Sequence, residues 1–266
     1  MKILGILNVT SDSFSDGGQY LEPGAAIFHA QAMAQSGADI IDIGAASSNP
    51  DAGPVAPDVE LGRLTAVIPA LKEKGLSLSV DTFAPDVQRW ALTQPIDYLN
   101  DIHGFPDVTL YPALAKSGVK LIVMHMVQER GVAVHTEVPP AEIFDRVIRF
   151  FDARVQALTD AGIVRDRLIL DPGMGQFVGS DAENSLILLR RLPELKARYG
   201  LPLLVSVSRK GFLRKLVNRP ALEAGAASLA AELFAAANGA DFIRTHAPGA
   251  LRDGLKVLKA IGKERH

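Results

Sequence analysis

The sequence predicts an α/β chain closed into a (β/α)8 barrel, and three observations predict it. Short apolar runs alternate with helix-patterned segments from one end of the chain to the other. There are eight such runs, each followed by a helical segment and each ending abruptly in polar or charged residues. No Gly-rich dinucleotide turn follows the first run, which argues against an open doubly wound sheet. The 266 residues contain no low-complexity tract or linker, so residues 1–266 are taken as one domain of the size usual for a TIM barrel.

Ile3-Leu4-Gly5-Ile6-Leu7 is the first run; it ends at Asn8 and empties into a polar loop that reaches Gly18. Ala25 to Ser36 is alanine-rich and helical with Gly37 as its stop, and Asp39 to Gly44 is the second strand. A second long loop, Ala45 to Pro57, holds Ser47, Ser48, Asn49 and three prolines, which excludes regular structure. Val59 to Lys74 has helical periodicity, and Leu76 to Val80 is a strand ended by Asp81 and Thr82. Pro85 starts the next helix, because its fixed φ suits a first helical position.

Tyr98-Leu99 leads to Asn100 and Asp101, Lys120 to Met124 leads to His125, and Leu168 to Leu170 leads to Asp171-Pro172-Gly173-Met174-Gly175. Between the last two, Ile143, Val147, Phe150, Phe151, Val155 and Leu158 share one helical face, so a long outer helix lies there. Leu203 to Val207 is the seventh strand, running into Ser208-Arg209-Lys210. Asp241 to Ile243 is the eighth, ending at Arg244-Thr245-His246 before a helix from about Leu251 to Ile261.

Lys and Arg number 28 against 30 Asp and Glu, so no charge excess draws the chain to nucleic acid or an acidic membrane surface. An anionic substrate must be caught locally. The absence of cysteine excludes disulfides and thiolate metal sites and fits a reducing, cytoplasmic setting. No basic leader precedes Ile3 and no apolar run is long enough for a membrane span, so an untargeted protein is expected.

Polar residues just past the carboxyl ends of barrel strands point into the mouth. One rim would then collect Asn8, Asp42, Asp81, Asn100, Asp101, His125, Asp171, Ser208, Lys210, Arg244 and His246. Such a ring suits a flat heterocycle with an anionic arm: carboxylates and carboxamides grip N–H edges, and Arg and His grip phosphate. Each has a plainer reading. Arg209 and Lys210 also suit the solvated start of a helix, Asp42 reads better as a structural carboxylate bonded to nearby backbone, and His125 as a satisfied histidine near the core. Arg244 and His246, two apart, point the same way by the strand period and suggest a shared anion.

Five ordered motifs, Asn8 to Gly18, Leu99-Asn100-Asp101, Asp171 to Gly175, Ser208-Arg209-Lys210 and Arg244-Thr245-His246, together resemble dihydropteroate synthase over nearly the whole chain. Ser47 to Val55, Leu203 to Lys210 and Thr245 to Gly249 are similar to its sulfonamide-insensitive, mobile-element branch and chromosomal relatives. The resemblance implies condensation of 6-hydroxymethyl-7,8-dihydropterin pyrophosphate with p-aminobenzoate, with Mg²⁺ as cofactor and a homodimer as the working form. It also implies roles: Asp81, Asn100, Asp171 and Lys210 on the pterin; Asn8, Ser48, Arg244 and His246 on pyrophosphate, Asn8 through magnesium; Phe14 and Ser208 on p-aminobenzoate. Asp12, Lys210, Arg244 and His246 would be the catalytic set, and Arg244→Ala is expected to slow turnover while sparing pterin binding.

Two departures from the family pattern stand out. Ser48-Asn49 replaces a Thr-Arg pair, which removes a cation, and Gly175-Gln176-Phe177-Val178-Gly179 replaces a Gly-Phe-Gly-Lys run. Both fall on the sulfonamide-contacting side, which implies reduced sulfonamide sensitivity. Without the resemblance, a strand-end lysine beside acids also suits a Schiff-base aldolase using Lys210. The missing cation also leaves a non-catalytic pterin-binding relative open.

Overall fold

In the computed structural model the described residues are 1–10, 23–46, 53, 55–128, 131 and 136–262. Eight strands form one parallel sheet: β1 Lys2–Asn8, β2 Ile40–Gly44, β3 Leu78–Asp81, β4 Tyr98–Asp101, β5 Lys120–Met124, β6 Leu168–Asp171, β7 Leu204–Val205 and β8 Phe242–Thr245. Their order is β6-β5-β4-β3-β2-β1-β8-β7. A parallel bridge between Leu170 and Leu203 joins the two ends, helped by the Leu170 N–H donating to Pro202 O at 2.9 Å. The sheet is thereby a nearly closed barrel, as the sequence predicts.

The helices between strands are α1 Pro23–Ser36, α2 Pro57–Glu73, α3 Pro85–Ala91, α4 Tyr111–Lys116, α5 Pro140–Asp160, α6 Ala182–Arg190, α7 Leu192–Tyr199, α8 Gly211–Val217, α9 Gly225–Ala237 and α10 Pro248–Ile261. Two helices, not one, separate β6 from β7 and β7 from β8. Helix α5 buries the expected stripe of Ile143, Val147, Phe151, Val155 and Leu158, while Phe150 is only partly buried.

Two strand ends differ from expectation. The seventh strand keeps only Leu204 and Val205 of the five residues expected, because the chain turns at Val207: the Lys210 N–H donates back to Val207 O at 3.1 Å. The eighth extends further, taking in Arg244 and Thr245. The acids expected to open β2 and β8 lie just outside them. Asp39 Oδ2 accepts the Ile3 N–H at 2.7 Å and Asp241 Oδ2 accepts the Leu203 N–H at 2.8 Å. Asp97 does the same for Leu78 at 2.9 Å, so three acids tie adjacent strands together at the amino-terminal rim.

The barrel lumen has two storeys. Leu4, Ile40, Tyr98, Ile122, Ile169, Leu204 and Phe242 form an apolar plug separate from the larger core between sheet and helices. Strand side chains alternate faces, so the next inward residue lies two positions on. Two on from six of these plug residues stand Asp42, Asn100, Met124, Asp171, Ser206 and Arg244. The floor of the plug is dry; the storey above it is polar.

Candidate active site

That upper storey surrounds a cavity of about 70 Å³. Asp81, Asn100, Asp171, Lys210 and Arg244 supply its polar lining, and Ile102, Met124, Met174 and Phe177 its apolar walls. Such a mixture, apolar faces with a few converging polar groups, fits a flat polar heterocycle. A larger open hollow of about 620 Å³ lies at the opposite rim, among residues that begin strands, such as Tyr98 and Lys120. The chemistry is at the carboxyl ends.

Arg244 rises from β8 into the centre of the barrel. Its Nε donates to Asp42 Oδ2 at 2.5 Å and its Nη2 to Asp81 Oδ2 at 2.8 Å, so one guanidinium ties β8 to β2 and β3. Asp42 is 0 % exposed, and Arg244 and Asp81 are 18 % and 19 % exposed. Asp42 is therefore structural as expected, but its partner is this side chain and not nearby backbone. Burial, opposed by Arg244 and reinforced by Asp42, holds the Asp81 carboxyl above its ordinary range.

Asp171, at the end of β6, accepts the Gly173 N–H at 2.8 Å through Oδ1. Burial raises its carboxyl to about 6 against the pull of that N–H, Lys210 and Arg244. Lys210 comes to the same cavity through the turn after β7, where Arg209 adopts a left-handed φ of 57°. Its ammonium lies 4.2 Å from the centre of the Phe177 ring. Burial lowers the amine to about 8, offset by Asp171. It is a cavity cation, not a solvated helix start.

The pair Asn100-Asp101 divides its labour by strand alternation. Asn100 Oδ1 is buried without a partner among the described residues and lies on the cavity, which marks it for a ligand. Asp101 points away, accepting N–H groups of His103 and Phe105 and the amide of Gln88. His125 is likewise structural: Nδ1 meets Pro172 O at 3.1 Å, and burial depresses the ring to about 4. Neither belongs to the ring of mouth groups.

Ser208 and His246 sit beside the cavity without lining it. The His246 N–H donates to Ser208 Oγ at 3.2 Å and its Nδ1 lies 3.0 Å from the same oxygen. Burial, then Arg209, Arg244 and Lys210, lower the imidazole to about 3, so it is neutral at working pH. Arg244 turns into the lumen while His246 stands past the strand end, so the shared alignment expected of them is loose. Asn8 ends β1 at the mouth; a Cβ placed on Gly44 would stand 3.7 Å from Asn8 Oδ1 and 3.9 Å from Asp81 Oδ2. Asp12, Phe14, Ser48 and Asn49 lie outside the described residues.

Sequence reasoning left open the wall beside Gln176-Phe177, which Phe177 supplies, and passed over Ser206 and Met124, which also line the cavity. Both were findable by counting two residues on from the apolar plug.

Residues 4–246 match the model of the pterin binding enzyme family. The chain is 57 % identical over 259 residues to dihydropteroate synthase type-2 of Escherichia coli, covering 97 % of this chain and 95 % of that protein. A solved dihydropteroate synthase of Xanthomonas albilineans with 4-aminobenzoic acid superimposes with a TM-score of 0.88 at 38 % identity, covering 99 % of this chain and 94 % of the other. The same enzyme in complex with 7,8-dihydropteroate gives 0.85 at 37 %, with the same coverage.

Because Arg244 neutralises the buried Asp42 and the half-buried Asp81, Arg244→Ala leaves the two carboxyl groups facing each other without a counter-charge. Denaturant unfolding is expected to lose about 3–5 kcal/mol. Heterocycle affinity falls with it, since Asp81 loses its anchor; an unchanged affinity with slowed turnover alone would restore the separation of roles expected from the sequence.

Proposed function

The chain belongs to the dihydropteroate synthases, a family of pterin-binding enzymes, and from that membership we propose how its own residues act. It is a transferase that joins 6-hydroxymethyl-7,8-dihydropterin pyrophosphate to p-aminobenzoate, giving 7,8-dihydropteroate and pyrophosphate for folate synthesis. Membership sets aside both the Schiff-base aldolase reading of Lys210 and the non-catalytic relative. The single observation that carries the assignment of roles is the convergence of Asp171, Asn100, Asp81 and Lys210 on one cavity with apolar walls.

In this reading the Asp171 carboxylate accepts paired N–H donors from the 2-amino pyrimidine edge, which calls for two acceptor oxygens in one plane. Asn100 Oδ1 supplies the acceptor that the protein leaves unused, Asp81 takes a further ring edge, and Lys210 donates toward the ring oxygen. Phe177 walls the cavity beside Lys210. Phe14 and Ser208 remain assigned to the p-aminobenzoate side.

The reaction breaks the bond between the exocyclic methylene and the pyrophosphate oxygen, the electron pair leaving with pyrophosphate. The arylamine nitrogen then forms the new C–N bond and sheds a proton to solvent. The electron-rich pterin delocalises positive charge on the methylene, so no protein nucleophile is required. Arg244, His246 and Ser48 act where negative charge grows on the leaving group, and Asp12 favours the cationic carbon.

Among the described residues no cluster of three His, Cys, Asp or Glu side chains stands ready to hold a metal. Asn8 Oδ1 and Asp81 Oδ2 nonetheless share the space above Gly44, and both are hard oxygen donors. The residues therefore fit Mg²⁺ held by Asn8 with pyrophosphate oxygens and water completing its shell. Bound magnesium would neutralise charge on the leaving group.

A homodimer is part of the proposal. Helices α8, α9 and α10 pack side by side; α9 exposes Phe234 at 43 %, α10 Ile261 at 74 % and the turn between α8 and α9 Leu222 at 68 %, apolar surface that a second copy would cover. Among the described residues no helix is long and apolar enough to cross a membrane.

Three measurements follow. With both substrates and Mg²⁺ the protein releases pyrophosphate, and Asp171→Asn weakens pterin binding about a hundredfold, the worth of a hydrogen bond to a charged group; no pyrophosphate from the unaltered chain ends the reading. Sulfonamides inhibit with a constant far above the p-aminobenzoate Michaelis constant, and equal constants would refute reduced sensitivity. Sedimentation gives a dimer that Phe234→Glu splits; a wild-type monomer at micromolar concentration would remove the dimer.

A further inference from the structure

The hollow of about 620 Å³ at the amino-terminal rim gathers a second set of polar groups, remote from the mouth. Lys2 opens β1, Tyr98 opens β4 and Lys120 opens β5, and all three line it. Both ammonium groups reach the tyrosine. Lys2 Nζ donates to the Tyr98 hydroxyl oxygen at 3.4 Å, and Lys120 Nζ lies 5.8 Å from the centre of the Tyr98 ring. The ring belongs to the apolar plug, edge-on to Phe242, and Tyr98 is only 3 % exposed. A phenylalanine would serve the plug; the hydroxyl serves the rim.

The charges around this phenol do not balance. Asp97 is the one carboxylate among the lining residues, and its Oδ2 is engaged twice, accepting the Leu78 N–H at 2.9 Å and Lys72 Nζ at 3.0 Å. Among the described residues neither Lys2 nor Lys120 has a carboxylate partner. Arg167 adds to the excess from behind the wall, bonded to Ser117 Oγ at 3.0 Å, Val119 O at 2.6 Å and Leu114 O at 2.9 Å, all neutral groups. Cations converging in this way repel one another, and an anion between them would relieve the repulsion. The phenol also has something left to give. Its oxygen uses a lone pair on Lys2, and its hydrogen has no acceptor among the described residues.

We propose that this hollow is a binding site for a small organic oxyanion, a phosphate or carboxylate carried on an apolar body, distinct from the substrate cavity. Lys2 and Lys120 supply the charge, and the Tyr98 O–H supplies one directed donor. Leu92, Ile96 and Val119 receive the body. A bare ion would fill little of a hollow of this size, which is in the range that organic ligands occupy. The three head-binding residues come from strands that meet only in the closed barrel, so the occupant binds the folded chain and stabilises it.

The test titrates the full chain with phenyl phosphate, benzoate and inorganic phosphate, followed by calorimetry and by amide shifts in nitrogen-15 NMR. Wild type is compared with the Lys2→Gln/Lys120→Gln double variant and with Tyr98→Phe. The lysines are exposed and phenylalanine keeps the ring in the plug, so both variants retain the barrel. An organic oxyanion is expected to shift the amides of Ser77, Tyr98 and Gly118 and to bind about tenfold more tightly than inorganic phosphate, through the apolar walls. The double variant is expected to weaken it about a hundredfold and Tyr98→Phe about tenfold, the worth of the hydrogen bonds removed. Tighter binding of phenyl phosphate than of benzoate identifies a phosphate ester as the ligand class, and the reverse identifies a carboxylate. Shifts confined to mouth residues such as Asn100 and Lys210, affinities unchanged in the double variant, or dissociation constants above about 10 millimolar for both organic anions overturn the proposal. Should a variant not fold, the wild-type shifts still locate the ligand and decide it.

Discussion

One guanidinium, that of Arg244, holds the centre of this barrel in place. It enters the lumen from β8 and bonds carboxylates on β2 and β3, so three strands far apart in sequence are tied at one height. Two carboxylates beneath a mouth that must also hold Asp171 would repel one another in a space largely closed to water. The cation between Asp42 and Asp81 makes that density of acids tolerable. It also fixes the orientation of Asp81, and with it one side of the heterocycle cavity. A group expected to serve only the leaving group is therefore a structural member of the pterin side as well.

The two storeys of the lumen explain why such a site survives. Below, seven apolar residues from seven strands exclude water and stiffen the barrel. Directly above, the same strands present Asp42, Asn100, Asp171 and Arg244, each two residues on. A polar layer on a dry, packed floor keeps its groups oriented before a ligand arrives, which is what electrostatic stabilisation of a departing anion demands. The outer support is of another kind. Ser208 and His246 stand beside the cavity, bonded to each other, and α9 reaches in from the helical ring to brace the turn between Ser208 and Lys210 through Ser228, whose Oγ accepts the Arg209 N–H.

Much of this was legible residue by residue. Eight apolar runs with polar ends announced the barrel, and the residues named for the heterocycle, Asp81, Asn100, Asp171 and Lys210, do gather at one cavity. Illegible were the features set by partners distant along the chain. Nothing near Asp42 points to a guanidinium 202 positions away. The seventh strand looked like five residues because apolarity continues through Val207, whereas pairing stops once the backbone turns to deliver Lys210. Asp101 and His125 resembled mouth groups because a strand-end position does not say which way a side chain faces once the strand has ended.

By itself the sequence determined the architecture, the family and the inventory of mouth residues, since strand periodicity and motif order are local properties that survive without coordinates. Only the tertiary structure decided which acids pair with Arg244, which of two adjacent residues faces the cavity, and that a serine on an alanine-rich helix braces the turn that delivers Lys210. Those outcomes depend on distance and desolvation between strands and helices that meet only when the ring closes, and neither quantity is written in the order of residues.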